Sequence, residues 1–402
     1  MKGEINISKL TLFIICIFIC SVAVGQQNND AVLEAKALSA RGNHSDAITL
    51  LSDAIRLKPE SRLYIERAEI NLQLRNYDAS LQDFSEANRL EQRSGDYGLA
   101  KVYALKGDVP NSMRHLTMSM ESAYKRSEKE IMLEPAFMAI ENRPEWRQFW
   151  QKSWYNYRET GVSEIEYFVS NNKLAEAREA LAEFRGMYSG SEEATYAEVL
   201  LNIAAGRFDD AVRAASSLTA SEKHLRVLAK AQIGQSNFAG ASSTYTRLIE
   251  MGVADAQLFI ERAECFRRTG ERNRAIRDVE RFIALYPENK EAIRLAGRLE
   301  VELGNNIKAL EYFSRNVELY PNDPESYIDR ANSYFSSKSW RWAVSDYSMS
   351  LDLDPTNPDV WLNKGIALLS SGNTADACHD FKRAYSLGNQ RAAPYISRNC
   401  ID

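Results

Sequence analysis

Histidine is scarce in this chain: four residues in 402, at His44, His115, His224 and His379. None has a second histidine or cysteine at helical ligand spacing except Cys378 beside His379. Adjacent helical residues point about 100° apart, so that pair is a poor metal site. There is no G-x-S-x-G elbow, no H-E-x-x-H helix and no glycine-rich phosphate loop. The acids are scattered rather than clustered. These absences argue against an enzyme: no catalytic residue, metal ligand or cofactor is expected, and no small-molecule substrate is evident. A basic excess is missing too. Fifty Lys and Arg stand against 55 Asp and Glu, a formal charge of −5. Nothing is left over to neutralise phosphates, so nucleic acid is not an expected partner.

Long apolar runs are missing with one exception, LTLFIICIFICSVAV from Leu10 to Val24. Lys2 and Lys9 precede it and its end overlaps Ala23-Val24-Gly25, with small residues at −3 and −1 of a cleavage site before Gln26. This reads as a secretory signal over residues 1–25, which places the mature chain in the periplasm or cell envelope. The alternative is a membrane anchor left uncleaved, although the run falls short of the about 20 apolar residues that a spanning helix needs.

Cysteine is also sparse. Of five, Cys16 and Cys20 lie in the leader, leaving Cys265, Cys378 and Cys400. An oxidising compartment permits a disulfide. Cys378 and Cys400 are equidistant in sequence from Asn389, on opposite sides of the Gly388-Asn389 turn, and are expected to pair. The alternative leaves Cys378 as a small core residue and Cys400 in a frayed end. Cys265 has no cysteine opposite it and is expected to stay a free, packed thiol.

What the chain has in abundance is internal period. A turn residue followed five positions later by Ala or Ser occurs ten times. The pairs are Gly42/Ala47, Arg75/Ser80, Gly107/Ser112, Asn172/Ala177, Gly206/Ala211, Ser236/Ala241, Gly270/Ala275, Gly304/Ala309, Lys338/Ala343 and Gly372/Ala377. The last five turns, from Ser236 to Gly372, are evenly spaced without a slip. Apolar-periodic stretches flank each turn. Pro59, Pro287, Pro321 and Pro355 stand at one fixed distance after their turns, where a second helix must stop. Each unit is therefore a helical hairpin. One hairpin cannot bury its apolar face alone, so neighbours stack.

The last repeats carry Trp361, Gly365, Leu368, Ala377 and Phe381, and Tyr327, Ala331, Tyr334, Ala343, Tyr347 and Pro355. This pattern resembles the tetratricopeptide repeat family, here in the form of an exported bacterial-type repeat protein. The resemblance covers most of residues 30–390. It implies an all-α, right-handed α-solenoid of about ten hairpins, with an aromatic-rich insert and a C-terminal capping helix. The expected divisions are hairpins one to three over 30–122, the insert over 123–160, hairpins four to ten over 161–390 and the cap over 391–402.

Where the family usually has leucine, four first helices carry a cation eight residues before the turn: Arg67, Arg262, Arg330 and Lys364. Eight residues after the same turns stand Asp83, Asp278, Asp346 and Asp380. Residues equidistant from a hairpin turn face each other, so four structural ion pairs are expected. The rival reading makes the cations the lining of a groove for an acidic partner, but an unpaired half-buried charge is costly.

Between Gly107 and Asn172 the spacing is nearly twice that of the later turns, one repeat too many. Pro135 breaks any long helix there, and Pro144 suits the first turn of a new one. Trp146, Trp150 and Trp154 follow at i, i+4 and i+8 and are expected to share one helical face. One reading packs them on the adjoining hairpins as part of a degenerate repeat. The other leaves them as an aromatic partner-binding surface. A similar PEW helix joins repeat blocks in other exported repeat proteins, which favours packing.

In this family the first helix of each hairpin lines the concave face. Carried over by register, that face holds Glu261, Glu264, Arg267, Arg294, Arg298, Asp329, Asn332 and Asn363. Its mixed charge suits a polar protein segment. The family's terminal-carboxylate clamp needs Lys four before Asn, and here Ile328 precedes Asn332. The function implied is a non-enzymatic protein–protein interaction scaffold or adaptor in the cell envelope. The alternative is a structural component of an envelope secretion or cell-wall assembly.

Overall fold

In the computed structural model, residues 28–400 are described; the expected leader lies outside them. Among the described residues the ordered elements are helices, with no strand. The chain divides into two compact units. One runs to Ser236 and adds Thr246–Asp255; the other holds Asn237–Tyr245 and everything from Ala256 on.

In the first unit, hairpins pair a helix over 28–40 with His44–Leu57, Ser61–Gln73 with Tyr77–Leu90, and Asp96–Leu105 with Val109–Met120. After the insert come Tyr157–Ser170 with Leu174–Met187, Glu192–Ala204 with Phe208–Ala215, and then Glu222–Gly234. The second unit pairs Gln257–Arg268 with Arg272–Leu285, Lys290–Glu302 with Asn306–Leu319, Pro324–Ser336 with Trp340–Leu353, and Pro358–Ser370 with Thr374–Ser386. Phe238–Glu250 contributes to both units. The family resemblance in the sequence thus implied the right fold class, all-α repeats of helical pairs.

All ten turn residues adopt positive φ, from 57° at Asn172 to 89° at Gly372. This is the left-handed residue that closes a helix and lets a following N–H reach back over the last turn. Asn43 N donates to Leu38 O at 2.9 Å, Asn305 N to Glu300 O at 2.8 Å, and Ser339 N to Tyr334 O at 2.9 Å. All ten small residues past the turns are fully buried. Ser80 and Ser112 replace alanine without leaving a stranded hydroxyl: each donates to a carbonyl of the facing helix, Ala68 O and Ala100 O, at 2.8 Å. The prolines set the far ends. Lys58, Tyr286, Tyr320 and Asp354, each before a proline, leave helical geometry, and the helices stop at Leu57, Leu285, Leu319 and Leu353.

The insert is made of Glu128–Met132, a 3₁₀ turn Pro135–Phe137 and Pro144–Gln151. Asn156 caps the helix that follows, so the fourth hairpin opens at Tyr157 rather than 161. Trp146 is buried with Phe137, Phe149, Ile131 and Met113, and Trp150 and Trp154 pack half-buried on the same cluster. The expectation of one helical face for all three needs correcting. The helix ends at Gln151, Lys152 is extended, and Trp154 folds back so that its Nε1 donates to Phe149 O at 2.7 Å. The three rings therefore pack on one cluster, Trp146 within it and Trp150 and Trp154 half-buried at its edge.

The chain ends on a 3₁₀ turn Gln390–Ala392 and the short helix Ala393–Asn399. Tyr395 stacks on Phe381 at 4.9 Å between centroids, and Cys400 is bonded to Cys378. Cys265 is buried and unpaired, and burial pushes its thiol up to about 11.

Candidate partner-binding groove

The four cation–acid pairs form across their turns. Arg67 Nε and Nη2 meet Asp83 at 2.9 and 2.7 Å, and Arg262 meets Asp278 at 2.8 and 2.7 Å. Arg330 meets Asp346 at 2.7 and 2.8 Å. Lys364 Nζ lies 3.2 Å from Asp380 Oδ2. The carboxylates are buried and the cations mostly so. The hydrogen bond to Asp83 holds the Arg67 guanidinium above its ordinary value, and Asp346 does the same for Arg330. Arg67 Nη1 also donates to Ser52 Oγ of the preceding hairpin at 2.7 Å, so the device ties neighbours as well as partners.

The structure adds a component that spacing did not reveal. Three residues before each cation stands an aromatic ring with the cation over it: Tyr64 at 5.6 Å, Phe259 at 6.0 Å, Tyr327 at 6.0 Å and Trp361 at 4.8 Å. One helical turn separates them, which is why an aromatic-x-x-Arg/Lys motif recurs.

The expected groove residues all fall in the second unit, on first helices that lie side by side. Arg267 forks onto Glu264 through two 2.8 Å bonds and reaches Glu302 of the next first helix at 3.4 Å. Those carboxylates raise its pKa, the Glu264 hydrogen bonds most. Arg294 meets Glu325 at 2.6 Å and also Asp329, which is buried. Arg298 closes on the other oxygen of Asp329 at 3.0 Å. Glu261 is half-buried beside them. Asn332 accepts from the Tyr347 hydroxyl at 2.7 Å, and Asn363 stands on the next first helix. A cleft of about 370 Å³, lined by Ile260, Phe282, Asn289, Arg294 and Arg298, opens beside this row.

The charges of the face are thus committed rung by rung. The first unit repeats the device: Lys36 to Glu66 at 2.9 Å, Lys101 to Glu69 at 2.6 Å and Arg158 to Glu193 at 2.6 Å each join successive first helices. Asn332 is exposed and Arg298 about half so, which leaves polar atoms within reach of a bound chain. Among the described residues, no group of three or more His, Cys, Asp or Glu is arranged to hold a metal ion. No described helix is long and apolar enough to cross a membrane.

Sequence profiles described as tetratricopeptide repeat match residues 32–96, 266–324 and 347–379. The chain is a tetratricopeptide-repeat protein. A solved relative in fold is the C-terminal part of a tetratricopeptide repeat-containing protein from Cytophaga hutchinsonii. It is 15% identical, with a TM-score of 0.51 over 58% of this chain and 98% of that one. MamA from Desulfovibrio magneticus, residues 41 to the end, is 16% identical with a TM-score of 0.38, over 41% of this chain and 93% of that one. In sequence, the Protein CTR9 homolog of Arabidopsis thaliana is 31% identical over 70 residues, which is 17% of this chain and 6% of that protein.

Proposed function

We propose that this tetratricopeptide-repeat protein is a non-enzymatic scaffold of the cell envelope that holds a segment of a partner protein against its row of first helices. The observation that carries the reading is the second-unit face, where Arg294, Arg298, Asp329, Asn332 and Asn363 stand on three successive first helices beside a cleft. Its charges are already paired, so the face suits a polar, weakly charged segment; a strongly acidic one would have to displace Asp329 from two arginines. Export is supported by the basic n-region, the Leu10–Val24 apolar run and Ala23-Val24-Gly25. The paired Cys378 and Cys400 are in keeping with an oxidising compartment.

The full chain, tagged at its C-terminus and expressed in its native host, is to be isolated from the envelope fraction with its bound proteins. A partner should co-purify and be depleted at least fivefold by Arg298→Glu with Asn332→Asp. Retention of no protein, or retention indifferent to those changes, would remove the scaffold reading. N-terminal sequencing of the same material should begin near Gln26; Met1 on membrane-extracted protein would instead mean an uncleaved anchor.

A further inference from the structure

The insert is a repeat with most of its first helix missing. One period of the later turns, counted on from Gly107, puts a turn at Glu141, and Pro144–Gln151 then stands where the second helix belongs. In the first-helix place there are only Glu128–Met132 and the 3₁₀ turn Pro135–Phe137, against ten to fourteen residues in regular first helices nearby. Pro135 forbids continuation. Ile131 and Phe137 are fully buried, so what remains is pinned to the core. The missing length leaves a hollow on each side.

The larger hollow faces the next first helix, Tyr157–Ser170, and has a volume of about 750 Å³, within the usual range of ligand sites. The smaller, about 280 Å³, faces Asp96–Leu105, and Arg126 lines both. Between them runs an apolar ridge. Met132, 56% exposed, lines the larger hollow, and Leu133, 69% exposed, lines the smaller.

The charge around the larger hollow balances: Lys125, Arg126 and Lys129 against Glu128, Glu159 and Glu164. Lys125 is held by both oxygens of Glu159, at 2.7 and 2.9 Å, and by Trp154 O at 2.7 Å. Arg126 pairs with Glu130 at 3.5 Å. A ligand charge seeking Lys125, Arg126 or Glu159 would have to break these ties, whereas an uncharged segment leaves them in place and meets a rim of balanced charge. Thr160 and Ser163 donate their own protons to helix carbonyls, at 3.3 and 3.1 Å, so their oxygens remain able to accept from peptide N–H groups. An exposed methionine adapts its shape to an inserted apolar side chain.

We propose that this recess is a second docking site, for an extended, uncharged protein segment that lays one aliphatic side chain against Met132. It rests on the scaffold reading and adds to it both a place in the first unit and a ligand chemistry.

The test uses the full chain and three fluorescein-labelled peptides of sequence Gly-Ser-Asn-X-Asn-Ser-Gly, with X as Leu, Asp or Lys, titrated by fluorescence polarisation. The Leu peptide should bind at least tenfold more tightly than the other two. Met132→Glu should weaken it at least tenfold, and Arg298→Glu in the second unit should change it less than twofold. Ser163→Trp, which fills the hollow from an exposed position, should abolish the same binding while leaving the thermal midpoint in place. Equal binding of the three peptides, no binding of the Leu peptide, or indifference to both first-unit substitutions would overturn the recess. Loss on Arg298→Glu alone would overturn it too, while leaving the scaffold reading intact. The envelope isolation decides that reading separately.

Discussion

Arg330 and Asp346 stand eight residues either side of Lys338 and meet through two hydrogen bonds, Nε to Oδ2 at 2.7 Å and Nη2 to Oδ1 at 2.8 Å. Asp346 is buried and the Arg330 side chain is 20% exposed. Removing one partner strands the other. Arg330→Leu should cost about 3 kcal/mol, the low end for a broken buried pair because some solvent reaches the guanidinium. The neighbouring hairpin manages without charge, with Ala296 and Tyr312 in the same places. Asp346→Tyr added to Arg330→Leu should therefore recover much of the loss. Urea denaturation of the two single variants and the double variant measures the coupling, and additivity within about 0.5 kcal/mol would show that the two side chains do not act as a pair.

Lys338 itself offers a second test. It holds φ at 59°, where glycine stands in six of the ten turns. A left-handed L-residue costs about 1–2 kcal/mol. Glycine loses about 0.5–1 kcal/mol more backbone entropy on folding. Lys338→Gly should thus raise stability by about 0.5 kcal/mol, seen as a higher urea midpoint at unchanged m. A lower midpoint would mean that Lys338 makes a stabilising contact that outweighs the strain.

Much of this architecture was legible because hairpin geometry is local. Turn, small residue and terminal proline each act within a single hairpin, so period alone located all ten turns and the four ion pairs. The commitments between successive first helices were not legible. Arg294 and Asp329 belong to different hairpins, and which oxygen meets which guanidinium depends on how neighbouring hairpins are rotated. The aromatic cluster failed for a related reason. A helical wheel assumes that the helix continues, and this one stops at Gln151, so Trp154 reached the core by a turn that spacing could not show. The hollows beside Met132 come from residues that are not there, which a search for motifs passes over.

The third hairpin replaces the ion pair with a buried histidine–aspartate contact. At the positions of the ion pair it has Leu99 and His115, and His115 turns instead to Asp96 at the start of the first helix, Nδ1 to Oδ1 2.9 Å. Asp96 is fully buried and also meets Asn88 at 2.8 Å and Arg93 at 3.3 Å. Burial pushes its carboxyl upward, but the hydrogen bonds from His115, Asn88 and Arg93 and the His115 charge outweigh that and hold it below the ordinary range. A carboxyl whose native pKa is depressed gives stability that is present above its unfolded value, about 3.9, and is lost as pH falls through the native value. Asp96→Asn should accordingly lower stability at pH 7 and flatten the acid limb below about pH 4. Parallel acid limbs in the two proteins, by urea denaturation from pH 2.5 to 7, would place the titration elsewhere.

The last prediction concerns the terminal cap. Ala393–Asn399 is seven residues long and has none fully buried; its apolar contact is Tyr395 on Phe381, with Ile396 and Cys400 beside them. A helix of two turns is marginal on its own. Ala392, Tyr395 and Ile396 nevertheless cover an apolar face of the last described hairpin, packing with Leu362, Leu368, Phe381 and Ala384. The Cys378–Cys400 bond, spanning a sequence separation of 22, converts a weak contact into a tethered one. On the chain-entropy model a loop of this size contributes about 3 kcal/mol. Cys400→Ser should lower the stability of the second unit by up to about that amount. Its first effect should be local: amides of 393–399 should exchange much faster with deuterium, while those around Ala309 and Ala343 keep their protection. Thiol counting on denatured, unreduced protein should find one free thiol in the mature wild type, Cys265, and two in the variant. Unchanged exchange over 393–399 would mean that Tyr395 and Ile396 hold the cap without the bond.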